Sequence, residues 1–174
     1  ILDNYGIADL TMRRLARELS VSPGALYWHF ADKQELLGAV ADRLLASTAT
    51  VPVSGPWPDR IVALCSALRD ALLSATDGAE LVSASFSAGR SAEMGRIADA
   101  LADACAESGL TADDAELAAR TVVYYVLGFT VDEQSRIQWD AAGATVADGD
   151  TVWSENAGGR FTFGLDLLID GLAA

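Results

Sequence analysis

The residues best suited to chemistry are concentrated near the start of the chain, around the run Tyr27-Trp28-His29. A helix of two turns cannot bury three such side chains, so some of them must face outward. His29 is the only histidine in the sequence. A hydrolase that uses Ser or Cys needs a histidine base beside its nucleophile, and no motif points to carboxylate catalysis. We therefore expect no enzyme activity, no metal site and no cofactor.

The elements that position this run are two short helices joined by a tight turn, predicted for residues 11–30. The first helix has one apolar stripe on a 3.6-residue period, formed by Met12, Leu15, Ala16 and Leu19. Ser22 is a good N-cap and Pro23 a good first residue for the second helix, which is too short to be stable without its neighbours. Such a pair is typical of a helix-turn-helix, whose second helix enters the major groove of DNA.

The same residues resemble a known family. The run Leu26-Tyr27-Trp28-His29-Phe30, followed by Lys33 and Leu36-Leu37, is similar to the signature of the TetR (tetracycline repressor) family of bacterial transcription regulators. The resemblance covers residues 1 to about 48. It implies a dimeric repressor that binds a palindromic double-stranded DNA operator and is released by a small molecule.

The resemblance also implies a set of DNA-contacting residues: Thr11, Arg13, Ser22, Gly24, Ala25, Tyr27, Trp28, His29 and Lys33. In that set, Tyr27, His29 and Lys33 would contact phosphates, which position the protein without reading sequence. Arg13 would reach the O6/N7 edge of a guanine in the major groove. Trp28 is left with two alternatives, contact with bases or packing on the protein backbone.

The remaining members of that set are small or act through the backbone. Thr11, with the N–H groups that it caps, would meet a phosphate at a helix N-terminus. Gly24 and Ala25 would let the second helix sit deeply in the groove or touch a thymine methyl group, but they supply few hydrogen bonds.

The charge of the chain is unevenly distributed. The formal net charge is −13 over 174 residues. Residues 1–48 hold five cations and six carboxylates, a net −1, whereas the other residues hold seven cations and nineteen carboxylates, a net −12. The acidity therefore belongs to the later part, which would repel DNA and help to orient the cationic part toward it. Phosphate-driven affinity should be modest.

The rest of the chain predicts further helices and no strands, so we expect an all-α protein of two domains. A DNA-binding domain covers 1–48, and its first helix, from Ile1 to Tyr5, begins inside an apolar pattern, so we expect an earlier part of it to precede Ile1. A Pro- and Gly-rich linker covers 48–58. An effector-binding and dimerisation domain covers 57–174, with helices from about Trp57 to Ser74, around Phe86, and from about Met94 to Cys105. A long helix is predicted over about 112–137, a loop over 138–156, and a last helix over about 157–172.

The later part also resembles the tetracycline-repressor branch of the family, through the run from Tyr125 to Gln134 and the residues 163–172. That branch binds a magnesium–drug complex with a histidine in its later domain, and this chain has none there. The resemblance therefore implies the architecture and not tetracycline as the ligand.

Two sets of residues are predicted for the later domain. An effector pocket for an apolar or aromatic molecule, bound without metal, is expected among Phe86, Ile97, Leu101, Tyr124, Leu127, Gly128 and Asp132. A two-fold homodimer interface is expected at Val122, Val126, Leu165, Leu168, Ile169 and Leu172.

Composition supports a cytoplasmic protein. The chain is 51% hydrophobic with a mean hydropathy of +0.24, and its apolar runs fall short of the roughly 18–20 residues of a membrane span. No signal peptide is predicted. Cys65 and Cys105 lie on apolar stripes and are expected to be buried free thiols. The alternative function that we keep is a helix-turn-helix protein without a small-molecule effector, either architectural or regulated by a partner.

Overall fold

A computed structural model describes residues 1–51, 54–143 and 156–174. Within these ranges the chain forms nine α-helices and no strand, which confirms the all-α class. The helices are α1 (Leu2–Tyr5), α2 (Met12–Glu18), α3 (Pro23–Tyr27), α4 (Lys33–Leu45), α5 (Trp57–Leu73), α6 (Gly78–Ser87), α7 (Ala92–Ala106), α8 (Ala112–Ala141) and α9 (Ala157–Leu172).

Side-chain caps set the starts of the short helices. The Ser22 hydroxyl accepts a hydrogen bond from the Ala25 N–H at 3.2 Å, and Pro23 follows it as the first residue of α3. At α4 the Asp32 carboxylate accepts from the Glu35 N–H at 2.8 Å. The Glu35 carboxylate in turn accepts from the Ala31 N–H at 2.6 Å. The two carboxylates therefore hold the start of α4, one on a free N–H of its first turn and the other on the residue before the cap.

Three predicted boundaries were wrong. Helix α8 continues to Ala141 rather than ending near Ile137, because nothing stops it before Gly143, whose φ is +73°. The predicted loop at 138–156 is therefore helical in its first four residues, and residues 144–155 lie outside the described part. The linker also begins later than predicted, because Ala46–Thr50 forms a 3-10 turn. In that turn Thr48 is buried, and its hydroxyl donates to the Leu45 carbonyl at 2.7 Å.

The apolar stripe of α2 is shorter than predicted. Leu19 is 57% exposed, because the helix ends at Glu18 and the chain turns there. The turn is closed by two hydrogen bonds, from the Ser20 N–H to Arg17 O at 3.1 Å and from the Val21 N–H to Ala16 O at 2.9 Å. This is a Schellman arrangement with Ser20 at φ +56°, a conformation that favours glycine.

Two hydrophobic cores are joined by α4. The first core lies in the helix-turn-helix and contains Met12, Ala16, Leu26 and Leu36. The second core fills the rear of the molecule, between α5 and α9, and includes Ala41 and Leu45 from the later turns of α4. We call these parts the head (residues 1–32) and the rear domain (residues 54–174). Because α4 places side chains in both cores, we call it the strut between them.

The strut lies unusually close to the connection between α6 and α7. A Cβ atom built on Gly38 would lie 2.1 Å from the carbonyl oxygen of Arg90, so only glycine fits at this crossing. Because the obstacle is backbone rather than a flexible side chain, it cannot move away cheaply.

Gly38→Ala should therefore lower the free energy of unfolding by about 1–3 kcal/mol, the usual cost of overpacking. Gly95→Ala in α7 is the matched control, since a Cβ there meets nothing within 4 Å and should add about 0.5–1 kcal/mol of helix propensity. Urea denaturation of both variants measures the contrast. Equal effects in the two variants would show that the α4 crossing is not tight.

Candidate nucleic-acid interface

Helix α3 is held to the head by one face and exposes the other. Leu26 is only 6% exposed and packs in the head core, with Phe30 partly buried beside it. Trp28, two residues after Leu26, is 90% exposed, and Tyr27 is 54% exposed. Most of the Trp28 side chain is therefore accessible for contact with a partner.

The predicted DNA-contacting residues lie on α2, on α3 and at the start of α4. Most of them are exposed: Thr11, Arg13, Ser22, Gly24, Tyr27, Trp28 and His29. Ala25 and Lys33 are half-buried. Thr11 caps α2, since its hydroxyl accepts from the Arg14 N–H at 3.1 Å. The set therefore combines hydroxyl, cationic and aromatic groups on accessible parts of the head.

The three arginines of α2 have different environments. Arg14 is bound to the head itself, by an ion pair of 3.2 Å with Asp9 and by packing of its guanidinium 3.9 Å from the centre of the Tyr5 ring. Arg13 and Arg17 are exposed, and neither pairs with a described carboxylate. They are four residues apart and so share a helix face. Arg17 was not in the predicted set, although its spacing from Arg13 could have indicated it.

The seven residues predicted for an effector pocket do not line one cavity among the described residues. Ile97, Leu101 and Leu127 are buried in the rear core, and Phe86 is half-buried against it. The others lie on the outer side of α8, where Tyr124 is 59% exposed and Gly128 and Asp132 are also exposed. The sequence pattern could not separate the two sides, because the middle of α8 is apolar all round.

A cleft of about 440 Å³ lies elsewhere, between the head and the rear domain. It is lined mainly by apolar side chains of α2, α4 and α6, and none of the seven predicted pocket residues contributes to it. The two parts of the molecule thus meet across an incompletely filled apolar boundary.

The rear interior contains a polar cluster that the sequence did not reveal. Arg69 of α5 donates two hydrogen bonds to Glu133 of α8, at 2.6 and 2.9 Å, and both side chains are largely buried. The Arg69 guanidinium also lies 5.2 Å from the centre of the Phe161 ring. Tyr125 donates to the Phe161 carbonyl at 2.8 Å. Bidentate geometry and low exposure make this pair a specific link between α5, α8 and α9.

Burial controls the titration of the neighbouring groups. It raises the pKa of the Cys65 thiol, and the charge of Cys105 raises it further. Burial likewise raises the pKa of Cys105. The pKa of Tyr125 is raised by burial and by Cys65, with Arg69 opposing the shift. Both cysteines are buried free thiols, as predicted, and since only the thiolate is nucleophilic they are unreactive near neutral pH.

Half of the six residues predicted for a dimer interface are internal to one chain. Val122, Val126 and Leu165 are buried in the rear core. Leu168, Ile169 and Leu172 are half-buried against it. The first three are therefore not part of a surface that a second subunit could cover, because α8 and α9 first pack against each other and against α5.

The sequence pattern also did not indicate a polar link between the head and the rear domain. The Asp77 carboxylate accepts a hydrogen bond from the Ile7 N–H of the head at 2.9 Å and another from the Gln138 amide of α8 at 2.7 Å. Gln134, one turn earlier on α8, makes three hydrogen bonds to the backbone where α5 meets α6. Its amide oxygen accepts from the Ala79 N–H at 3.1 Å, and its amide nitrogen donates to two carbonyls. These partners are more than fifty residues apart in sequence, so no local pattern could indicate them.

The head is a helix-turn-helix with an exposed α3, and a helical strut joins it to an all-helical rear domain. This is the architecture of a bacterial transcription regulator. The comparisons with known proteins give the particular family. Residues 2–40 match the family described as "Bacterial regulatory proteins, tetR family", and residues 51–148 match "Tetracyclin repressor-like, C-terminal domain".

Individual relatives agree. Tetracycline repressor protein class A from transposon 1721 of Escherichia coli is 32% identical over 99% of this chain and 85% of its own length. The crystal structure of Mycobacterium smegmatis BioQ has a TM-score of 0.91 and 60% identity, over 99% of this chain and 91% of that chain. BioQ solved with its natural double-stranded DNA operator has a TM-score of 0.86 and 57% identity, over 100% and 92%.

The chain therefore belongs to the TetR family, and it is a DNA-binding transcriptional repressor rather than an enzyme. The family resemblance and the helix-turn-helix prediction are confirmed. Among the described residues, no helix is long and apolar enough to cross a membrane.

Proposed function

We propose that this repressor binds a palindromic operator as a homodimer, with α3 of each subunit in a major groove, and that a small apolar or aromatic molecule releases it. The observation that carries the proposal is the exposure of α3 and its neighbours: Trp28 is 90% exposed and Arg13 is free of ion pairs with described residues, while Leu26 anchors the helix from behind. The relative BioQ has been solved on its own operator at 57% identity, which supports the same use of the head here.

Different residues near the helix-turn-helix contact phosphates and bases. Tyr27, His29 and Lys33 contact phosphates, and the hydroxyls and N–H groups at the starts of α2 and α3 do the same. Arg13 reads a guanine edge, since its guanidinium can donate two parallel hydrogen bonds to O6 and N7. Gly24 and Ala25 let the backbone of α3 approach the bases, and Trp28 contacts the groove.

Arg13→Ala should cost about 1–3 kcal/mol per half-site and relax the preference at one base position. Lys33→Ala should weaken binding to all sequences alike and lower the salt slope by about one unit per half-site. Binding isotherms on an enriched palindromic duplex and on a scrambled duplex, at two salt concentrations, separate the two effects. Arg96→Ala, an exposed arginine of α7, is the control for loss of charge alone. Unchanged sequence preference in Arg13→Ala would refute its role as a base reader.

The homodimer is proposed from apolar side chains that one chain leaves uncovered. Leu117, Tyr124 and Val131 recur every seven residues on α8 and are all exposed, with Tyr124 at 59%. Phe163 and Leu167 lie one turn apart on α9 and are also exposed. A seven-residue apolar repeat is the pattern by which helices pack against helices. Both helices therefore leave apolar side chains uncovered, and the proposed interface with a second copy combines them with the half-buried Leu168, Ile169 and Leu172 of the predicted interface.

Leu167→Glu should dissociate this dimer, because an unpaired carboxylate in the interface costs at least about 3 kcal/mol of association free energy. Sedimentation velocity at micromolar concentration should show a monomer, and operator affinity should fall with it. Val62→Glu places the same charge at an exposed position of α5, and this variant should remain dimeric. A dimer that survives Leu167→Glu would move the interface elsewhere.

The effector proposal is supported by the match of the rear domain to a tetracycline-repressor-like domain and by the aromatic interior around α8. The inward members of the predicted pocket, Phe86, Ile97, Leu101 and Leu127, are the residues that such a molecule would separate. The close packing of these residues favours a second candidate, a repressor without an effector. Because the protein acts on DNA, we also propose that it is cytoplasmic.

Tetracycline with Mg²⁺ should leave the operator complex intact, since the only histidine of the chain is His29 in the head and a metal–drug complex has no such ligand in the rear domain. Fluorescence anisotropy of the labelled duplex, with tetracycline alone and with added Mg²⁺, measures this. Release that requires both compounds would show that the rear domain chelates the drug by other groups.

A further inference from the structure

Asp42, on the strut α4, caps a helix in a different part of the molecule. One carboxylate oxygen accepts hydrogen bonds from the Ser91 hydroxyl at 2.7 Å and from the Glu93 N–H at 3.0 Å. The other accepts from the Ala92 N–H at 3.3 Å. These partners are about fifty residues away in sequence and form the start of α7. A carboxylate at a helix N-terminus is stabilised both by the free N–H groups and by the helix dipole.

The start of α7 depends on this contribution from outside. The Ser91 hydroxyl accepts from the Met94 N–H at 3.1 Å while it donates to Asp42. Ser91 and Asp42 together therefore satisfy the first three N–H groups of α7, those of Ala92, Glu93 and Met94. Ser91 alone would satisfy one of them. Hydrogen bonds to a charged acceptor are stronger than neutral ones, so the cap is a firm point of attachment for α4.

The same face of α4 makes a steric contact one turn earlier. Gly38 lies four residues before Asp42, and its backbone rests against the carbonyl of Arg90, where a Cβ would approach to 2.1 Å. Residues four apart lie on one helix face. The corner at 90–93 is thus held to α4 by a backbone contact at Gly38 and by three hydrogen bonds at Asp42.

This corner connects the parts whose relative position matters for binding DNA. Helix α4 carries Leu36 into the head core and Leu45 into the rear core, so its direction sets the direction of the head. Helix α7 carries Ile97 and Leu101 into the rear core. A palindrome is bound only when the two heads of a dimer lie about 34–36 Å apart. A small rotation of α4 would change that separation.

We propose that Asp42 is a positioning residue for operator binding: by capping α7 it fixes the angle of α4, and hence the spacing of the two heads. The inference rests on the proposed binding of a palindrome by a dimer, and it adds a residue that touches no DNA. Movement of α7 would weaken the cap and release α4.

The test uses a palindromic duplex that the wild-type protein enriches from a random-sequence library, together with duplexes that have extra base pairs between the half-sites. Asp42→Ala should lower affinity for the enriched duplex by at least about fivefold, the lower end of typical couplings between sites. It should also reduce the discrimination between correct and altered spacing. Loss of stability alone would lower binding to all duplexes together and would leave that discrimination unchanged.

Three further variants keep the test decisive. Asp42→Asn retains the shape of the side chain and one acceptor oxygen, so it should lose less spacing selectivity than Asp42→Ala. It is the test variant if Asp42→Ala folds poorly. Ser91→Ala should act in the same direction and non-additively with Asp42→Ala, because both remove the same link. Asp70→Ala, an exposed aspartate on α5, removes an equal charge and should bind like the wild type. Hydrogen exchange at the Glu93 amide should accelerate in Asp42→Ala.

The outcomes separate this inference from the proposed function. If the wild type enriches no palindrome, the proposed mode of operator binding fails, and the positioning role fails with it. If the wild type selects a palindrome and both Asp42→Ala and Asp42→Asn keep its affinity and spacing preference, only the role of Asp42 is overturned.

Discussion

Helix α4 has thirteen residues and contributes side chains to two hydrophobic cores. Leu36 packs in the head core, and Ala41 and Leu45 pack in the rear core. Among the described residues, the head core has four buried residues, which is a small core for a domain. The head therefore depends on the part of α4 that is anchored in the rear core.

The polar contacts around α4 follow from this arrangement. Two aspartates bond groups far away in sequence: Asp42 caps α7, and Asp77 joins the head to α8. Asp77 has φ +57° and makes no side-chain cap for its own helix, α6. Left-handed backbone costs about 1–2 kcal/mol in a residue with a side chain. Both acidic groups thus serve contacts between parts of the molecule rather than local helix starts.

The uneven charge of the chain is compatible with DNA binding because it is separated in space. Residues 1–48 carry a net −1. Among the arginines of the head, Arg13 and Arg17 are exposed while Arg14 is occupied by Asp9 and Tyr5. The rear domain carries most of the −13. Repulsion between that domain and phosphate favours approach by the head first. Few free cations remain at the interface, so specific contacts have to supply much of the selectivity.

The fold class, the helix-turn-helix and its caps could be predicted from the sequence, because they depend on contacts within a few residues. Ser22 and Pro23 act where the local pattern placed them. Their chemistry needs only neighbours three or four positions away.

Which sides of the apolar helices face inward could not be predicted, because it depends on how the helices pack. Val122 and Val126 lie in the core while Tyr124 lies outside, although the middle of α8 is apolar all round. Periodicity cannot choose a face when every face is apolar, since the choice depends on which helices arrive from elsewhere in the chain. The Arg69–Glu133 pair and the Asp42 and Asp77 links also join residues roughly fifty or more positions apart. Their geometry exists only once the helices have packed.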